Sequence, residues 1–203
     1  MDRTLPCEDL AASPDFRRLA GIAGIRIDLR YATPDNFVGR DLYSPLDCAW
    51  LHRTAAAALE TSVKWLKKAR PDLRLLVLDA LRPQRVQEQL WAALQGTNLL
   101  EYLADPARGS IHSFGMAVDV TLADAAGKEF DMGTGFDEMS ERSHPAREDA
   151  LLARGELTPA QIDHRKLLRE AMQHGGWHGI NSEWWHFDCG DRNRVRAECV
   201  RVM

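Results

Sequence analysis

The segment SIHSFGMAVD, Ser110–Asp119, carries a histidine and an aspartate, two side-chain types that bind metal ions, on either side of a turn. His112 precedes Gly115, a residue type that allows the backbone to bend sharply. The alternating stretch Met116–Leu122 predicts a strand on which Asp119 faces away from the larger apolar side chains. A fully extended chain would hold His112 and Asp119 about 23 Å apart, so both can reach one site only if the chain folds back.

A second short segment, EWWH at Glu183–His186, adds another imidazole and another carboxylate. His112, Asp119 and His186 make a three-ligand Zn²⁺ site with one open position, which is typical of catalytic zinc. Glu183 is then the residue type that takes a proton from the attacking water. On a regular strand Glu183 and His186 would face opposite ways, so we expect a bend or bulge near Glu183. The sequence therefore predicts a hydrolase with one Zn²⁺ per chain.

Arg82 is the third element of the predicted site. It follows Leu73–Leu81, an almost continuous apolar run that predicts a central strand. A strand end can present a side chain to a cleft, and a fixed guanidinium there stabilises a developing oxyanion. The alternative is a surface arginine at the start of the helix that Pro83 opens. We favour Arg82 over its neighbour Arg85 for the oxyanion role.

The remaining periodicity indicates an α+β fold, in one domain of residues 1–203 with residues 1–24 as an N-terminal lead-in. The elements expected in addition are strands over Ile25–Tyr31 and Trp184–Cys189, helices over Leu51–Ala69, Pro83–Leu94 and Thr158–His174, and a loop over Ala32–Leu46. Helices and strands do not alternate strictly, which argues against a doubly wound parallel sheet. Trp184, Trp185 and Phe187 are expected in the core.

Composition narrows the classes of partner. The formal net charge of −4 and pI of about 6.0 give no argument for binding nucleic acid or an anionic membrane. No apolar run approaches the roughly 20 residues of a membrane span, and no secretory signal pattern is visible, so we expect a cytoplasmic protein. The four cysteines form no CxxC pair and are expected as free thiols. For Cys189 the alternative is a role as a metal ligand, because it lies three residues after His186.

These motifs together resemble the VanX-type D-alanyl-D-alanine dipeptidases, a family of zinc D,D-dipeptidases. Five ordered stretches carry the resemblance: DLRYATPDNFVGR (Asp28–Arg40), Arg82-Pro83, SIHSFGMAVD (Ser110–Asp119), DMGTGFDEMSERSH (Asp131–His144) and EWWH (Glu183–His186). The zinc motif and ExxH alone indicate only a wider group, which includes peptidoglycan D,D-carboxypeptidases, L-Ala-D-Glu endopeptidases and the hedgehog domain. The first and fourth stretches narrow the match to the dipeptidases.

The resemblance implies a set of catalytic roles. His112, Asp119 and His186 would bind Zn²⁺. Glu183 would be the general base and would then pass the proton to the leaving amine, while Arg82 would hold the carbonyl oxygen. It also implies a central antiparallel sheet flanked by helices, with the zinc site at the sheet. The implied reaction is hydrolysis of D-Ala-D-Ala to two D-Ala.

The resemblance also implies how a small dipeptide is held. Asp137, with Ser110, would bind the free amino group, because an ammonium needs acceptors. Tyr31 and Asn36 would help to line the pocket, and His144 would lie near it. For Asp137 taken alone, a structural role in fixing a turn is the alternative.

Two other functions stay open on the sequence alone. One is a peptidoglycan D,D-carboxypeptidase or endopeptidase, which would need an open cleft. The other is a zinc-bearing binding module without turnover, which would need neither Glu183 nor Arg82. The sequence is compatible with a monomer or a homo-oligomer.

Overall fold

The computed structural model describes residues 3–203, so the first two residues of the expected lead-in lie outside it. The strands are β1 (Thr4–Leu5), β2 (Phe16–Arg18), β3 (Ile25–Ile27), β4 (Trp50–His52), β5 (Leu73–Asp79), β6 (Ala117–Asp124), β7 (Trp177–Gly179), β8 (His186–Cys189) and β9 (Arg201–Val202). The α-helices are α1 (Arg53–Ala69), α2 (Gln84–Leu94), α3 (Glu148–Ala153), α4 (Pro159–His174) and α5 (Arg192–Glu198).

The central sheet has five strands in the order β3-β5-β6-β8-β7. The pairs β5–β6, β6–β8 and β8–β7 are antiparallel, but β3 runs parallel to β5. The expectation of an antiparallel sheet is therefore wrong at this edge, and the sheet is mixed. The physical reason is the long connection between the two strands, which includes β4 and α1 and returns the chain to the end from which β3 started.

Helix α1 covers one face of this sheet. Its buried residues Ala55, Leu59, Val63 and Leu66 recur at helical spacing, and the helix contacts both β5 and α4. Its first residue is Arg53 rather than Leu51, because the preceding residues pair with β2 as strand β4. The predicted helix is thus confirmed except for its first turn.

Strand β5 contains an irregularity that matters for the site. Val77 lies opposite Val120 of β6, but the register then shifts so that Asp79 lies opposite Asp119. Regular pairing would have placed Leu78 opposite Asp119 and turned Asp79 toward the core. Such a bulge rotates one side chain to the other face of a sheet, and here it brings a second carboxylate beside Asp119.

Gly115 makes the turn that the sequence predicts. Its φ of 63° lies in the left-handed region, and a Cβ atom there would stand 2.7 Å from the backbone nitrogen of His52. The backbone nitrogen of His52 also donates to the carbonyl oxygen of Gly115 at 2.9 Å. Only glycine fits this close approach without strain, so the return of the chain from His112 to β6 depends on it.

The lead-in is packed against the domain over its described part. Cys7, Leu10 and Phe16 are buried in one apolar cluster, and β1 pairs in parallel with the C-terminal strand β9. All four cysteines are free thiols, as expected. Over residues 3–203, no helix combines the length and the apolar character that a membrane crossing requires.

Candidate metal and active site

Three candidate ligand atoms from distant parts of the chain meet where β6 pairs with the first residue of β8. His112 Nε2 lies 3.1 Å from His186 Nδ1, which lies 3.0 Å from Asp119 Oδ1. The third separation, from His112 Nε2 to Asp119 Oδ1, is 3.4 Å. A tetrahedral ion with bonds of 2.0–2.1 Å holds its ligand atoms roughly 3.4 Å apart. The three side chains therefore have the spacing of a metal cage.

The local fold explains why these residues meet. His112 lies in a 3-10 turn over Ile111–Phe114, which ends at Gly115. Asp119 lies on β6 directly opposite His186, the first residue of β8. The fold-back predicted between His112 and Asp119 is thus confirmed, and sheet pairing supplies the third ligand.

Each imidazole is oriented through its other ring nitrogen. His112 Nδ1 lies 2.7 Å from the carbonyl oxygen of Ala80, and His186 Nε2 lies 3.0 Å from Asp188 Oδ1. Asp188 in turn accepts from Arg192 Nε at 2.5 Å. Such outer contacts fix the tautomer of a ligand histidine. Asp188 was not identified from the sequence, although it lies two residues after His186 and therefore on the same strand face.

Electrostatics in this cluster keep the carboxylates charged. Burial acts to raise the pKa of Asp119, but the imidazoles of His112 and His186 outweigh it and hold that pKa well below its usual range. Burial also acts to raise the pKa of Asp188, but His186 and Arg192 outweigh it and lower that pKa to about 2. Burial acts to lower the pKa of His186, and its two carboxylate neighbours raise it well above its usual value. A metal ion that bound to His186 would therefore have to displace a proton.

Arg82 is buried beside the metal-binding group. Its Nε and Nη2 atoms donate to Asp79 Oδ2 at 2.9 and 2.7 Å, and Nη2 lies 3.4 Å from Asp119 Oδ2. Its Nη1 atom donates to Gln87 Oε1 at 3.0 Å, and the guanidinium carbon lies 5.0 Å from the centre of the Tyr31 ring. Three sides of the guanidinium are thus fixed. The surface alternative for Arg82 is wrong.

Asp79 is the anchor of this arginine and was not identified from the sequence. It is fully buried and also accepts a hydrogen bond from the Tyr43 hydroxyl. Burial and the charge of Asp79 raise the pKa of Tyr43 well above its usual value, so the hydroxyl stays a donor. The only sequence signal was an aspartate at the end of an apolar strand, three residues before Arg82.

Glu183 precedes β8 in an irregular segment, as the sequence predicts. Residues 183–185 lie outside the strand, while the backbone nitrogen of Val120 still donates to the carbonyl oxygen of Trp185 at 3.0 Å. Burial raises the pKa of Glu183 to about 7, an effect that His186 opposes and Asp119 reinforces. The bend thus turns Glu183 toward the ligands, and Trp184 and Trp185 are buried in the core as expected.

A second acidic group lies in the same pocket. The Tyr31 hydroxyl donates to Asp137 Oδ2 at 2.7 Å, and Asp137 has a left-handed φ of 58°. Burial raises the pKa of Asp137 well above its usual value, against the effect of the Tyr31 hydrogen bond. A strained non-glycine residue with a carboxylate in a pocket is a feature of functional sites.

One cavity of about 350 Å³ unites the residues singled out from the sequence. Among the side chains that line it are Tyr31, Arg82, Ser110, His112, Asp119, Asp137, Glu183 and His186. Asn36 is not among them, because its side-chain amide donates to the carbonyl oxygens of Thr33 and Arg40 and fixes a loop. His144 contacts the cavity wall, where its Nε2 atom lies 2.9 Å from the Tyr102 hydroxyl.

A metal-binding triad with an adjacent carboxylate and a buried guanidinium defines the class of metal-dependent hydrolases. The chain belongs to the D-ala-D-ala dipeptidase family, whose model matches residues 13–202. This assignment agrees with the resemblance that the five sequence motifs indicated.

Three relatives illustrate the similarity, and each carries the name D-alanyl-D-alanine dipeptidase. The protein of Escherichia coli (strain K12) is 41% identical over 164 residues, which cover 81% of this chain and 78% of the relative. The protein of Enterococcus faecalis is 32% identical over 81% of this chain and 85% of its own. The protein of Enterococcus faecium is 32% identical over 82% and 86%, respectively.

Proposed function

We propose that this protein hydrolyses D-Ala-D-Ala to two molecules of D-Ala, with one Zn²⁺ as its cofactor. The observation that carries the proposal is the single cavity in which a His/Asp/His triad, Arg82 and Glu183 converge, in a chain of this family. We further infer that residues 1–203 form one domain, because β1 near the N-terminus pairs with β9 near the C-terminus.

The donor set fits zinc. Two imidazole nitrogens and one carboxylate oxygen, from His112, His186 and Asp119, leave a fourth position free for water or substrate. When bound, Zn²⁺ would polarise the scissile carbonyl and bring the pKa of its water toward about 7. Ala80 and Asp188 would keep both imidazoles in the orientation that such binding needs.

Glu183 is the proposed general base and acid. It accepts a proton as the water oxygen forms a bond with the carbonyl carbon. It then delivers that proton to the amide nitrogen as the C–N bond breaks. In the metal-free protein burial raises the pKa of this carboxylate to about 7, and a raised pKa brings a carboxylate closer to the operating pH that suits both transfers.

Arg82 is proposed to stabilise the negative charge that develops on the carbonyl oxygen. Its guanidinium is held by Asp79 and Gln87 before substrate arrives, so no reorganisation is needed during the reaction. At the amino end of the substrate, Asp137 with Tyr31 and Ser110 would bind the ammonium group. A longer peptide would leave these buried groups without their partner, which favours a short substrate.

The direct test is the release of D-Ala from D-Ala-D-Ala by the zinc-loaded protein. L-Ala-L-Ala and a pentapeptide that ends in D-Ala-D-Ala are assayed in parallel. We expect rapid cleavage of the D,D-dipeptide alone. Faster cleavage of the pentapeptide would replace the proposal with a peptidoglycan carboxypeptidase. Zinc binding without any cleavage would indicate a binding module.

The Glu183→Gln variant tests the mechanism separately. We expect it to keep stoichiometric zinc while kcat falls by roughly 10²–10⁴-fold, the usual contribution of a positioned acid–base group. A fully active Glu183→Gln enzyme would show that another group carries the proton. Loss of zinc in this variant would instead place Glu183 among the ligands.

A further inference from the structure

One wall of the active-site cavity is cationic, and it contains none of the proposed catalytic residues. Arg108 lies in the segment that leads to Ser110, and Arg192 and Arg196 lie one turn apart on α5. All three side chains line the cavity together with the metal-binding residues. The wall therefore presents three guanidinium groups to whatever occupies the pocket.

Two of these arginines have no acidic partner. Arg192 is neutralised by Asp188, whose Oδ2 atom lies 2.5 Å from it. Arg196 donates only to backbone carbonyls, from Nε to Gly109 at 3.1 Å and from Nη1 to Arg192 at 3.4 Å. Within residues 3–203, no carboxylate oxygen lies within 4.0 Å of Arg108 or Arg196. Their charges are left available to an anion.

Arg196 is also held in a particular place. It is only partly exposed, and its bond to the Gly109 carbonyl fixes it against the segment that leads to the ligand His112. Burial lowers the pKa of Arg196, and the nearby Arg108 adds to this effect. The contribution of Arg108 is repulsion between two guanidinium groups, which a bound anion would relieve.

The chemistry of the proposed substrate matches this wall. A free dipeptide carries an ammonium at one end and a carboxylate at the other, about 7 Å apart when extended. Asp137 and Tyr31 offer acceptors suited to the ammonium. The carboxylate requires a cation that is not already occupied, which excludes Arg82 and Arg192 and leaves Arg196 with Arg108.

We propose that Arg196, assisted by Arg108, binds the free C-terminal carboxylate of the dipeptide substrate. This inference rests on the proposed dipeptidase function. Arg196 is thereby a specificity-determining residue. It favours substrates that end in a carboxylate directly after the scissile residue pair and disfavours amidated or C-terminally extended peptides.

The test compares D-Ala-D-Ala with its C-terminal amide as substrates of the zinc-loaded enzyme. The enzymes compared are the unaltered protein, Arg196→Gln, Arg108→Gln and Arg196→Lys. We expect Arg196→Gln to raise KM for the acid on the order of tenfold to hundredfold, as for loss of a charge-assisted hydrogen bond. KM for the amide should hardly change, and Arg196→Lys should restore part of the preference for the acid.

Arg194→Gln is the matched control. Arg194 lies on the same helix but pairs with Glu198 at 3.2 Å on an exposed face away from the cavity. It should leave the acid-to-amide preference unchanged. The preference is a ratio within each enzyme, so a uniform loss of active protein does not alter it.

The outcomes separate this inference from the proposed function. An unaltered enzyme that cleaves D-Ala-D-Ala, with the same acid-to-amide preference in Arg196→Gln and Arg108→Gln, would overturn the inference alone. An unaltered enzyme that cleaves neither substrate would overturn both. If Arg196→Gln does not fold, Arg196→Lys and Arg108→Gln still decide the question through the same ratio.

Discussion

Asp188 offers a test of the metal centre that does not depend on catalysis. Its Oδ1 atom lies 3.0 Å from His186 Nε2, while the opposite ring nitrogen of His186 faces Asp119 and His112. Replacement by alanine removes both the acceptor and its charge. His186 would then lose the contact that fixes its ring, and metal affinity should fall.

The magnitude follows from the chemistry of that contact. Loss of an outer partner of a ligand histidine usually weakens metal binding by about 10- to 100-fold. Asp188→Ala should reach the upper part of this range, about 3 kcal/mol, because the contact is buried and charged. Asp188→Asn retains a neutral acceptor oxygen and should stay near tenfold.

The assay is competition for Zn²⁺ between the protein and a chelator of known affinity. Arg192→Ala is the control, because it removes the half-exposed ion pair with Asp188 but leaves the contact to His186. Exposed pairs contribute little, so this variant should bind zinc almost normally. Equal affinity in Asp188→Ala and the unaltered protein would refute the orienting role, and so would a larger loss in Arg192→Ala.

Four further predictions concern stability. In the metal-free protein the folded state keeps a proton on Glu183 between its usual pKa of 4.5 and about 7, while the unfolded chain has released it. The free energy of unfolding should therefore fall as pH rises through this window, by up to about 3 kcal/mol less a reduction for the partial exposure of Glu183. In urea titrations with a chelator present, Glu183→Gln should remove this contribution. If the free energy of unfolding of that variant depended on pH as in the unaltered protein, the assigned pKa would be contradicted. Gly155→Ala, at φ 71° in open space, should cost about 1 kcal/mol. Gly115→Ala should lower the free energy of unfolding by about 1–3 kcal/mol more than Gly155→Ala, because the new Cβ would clash with the backbone of His52. Equal shifts in melting temperature for the two variants would contradict this expectation. Glu148→Ala should lower the free energy of unfolding, measured with a denaturant, by about 3–5 kcal/mol. The reason is that the Arg169 guanidinium, which donates to the two carboxylate oxygens of Glu148 at 2.8 and 2.7 Å, would lose its buried partner. A loss under 1 kcal/mol would show that water replaces the carboxylate.

The metal-binding group could be predicted from the sequence because its constraints are local. Histidine, aspartate and glycine at the spacing of His112, Gly115 and Asp119 suit only a few chain paths. The segment Trp184–Cys189 predicted a strand with a bend near Glu183; the structure confirms the bend, and the strand is shorter and begins at His186. Side-chain type and backbone geometry carry enough information for such a motif.

What could not be predicted depends on contacts between distant segments. Nothing in Leu73–Asp79 reveals the register shift that turns Asp79 toward Asp119, because the bulge is a property of two paired strands. A strand over Ile25–Tyr31 was predicted, but the parallel pairing of β3 with β5 was missed for the same reason, since pairing partners are not encoded in one strand's pattern. Helix α5, which carries Arg196, also escaped notice because only Val195 of its seven residues is buried. A helix this polar has no apolar stripe to detect.

The pairs Asp79–Asp119 and Asp119–His186 would make binding of a metal ion depend on how the strands of the sheet are aligned. A slip of one residue in the pairing of β6 with β8 would turn Asp119 or His186 to the opposite face of its strand, and a slip in the pairing of β5 with β6 would turn Asp79, the anchor of Arg82, away from Asp119. Slipped sheets would then have no complete cage, while the native sheet gains stability from occupancy. At a free metal concentration one hundred times the Kd, that gain is about 2.7 kcal/mol. Metal binding at the proposed site would thus discriminate among strand registers, and zinc supplied during refolding should enrich the correctly aligned sheet.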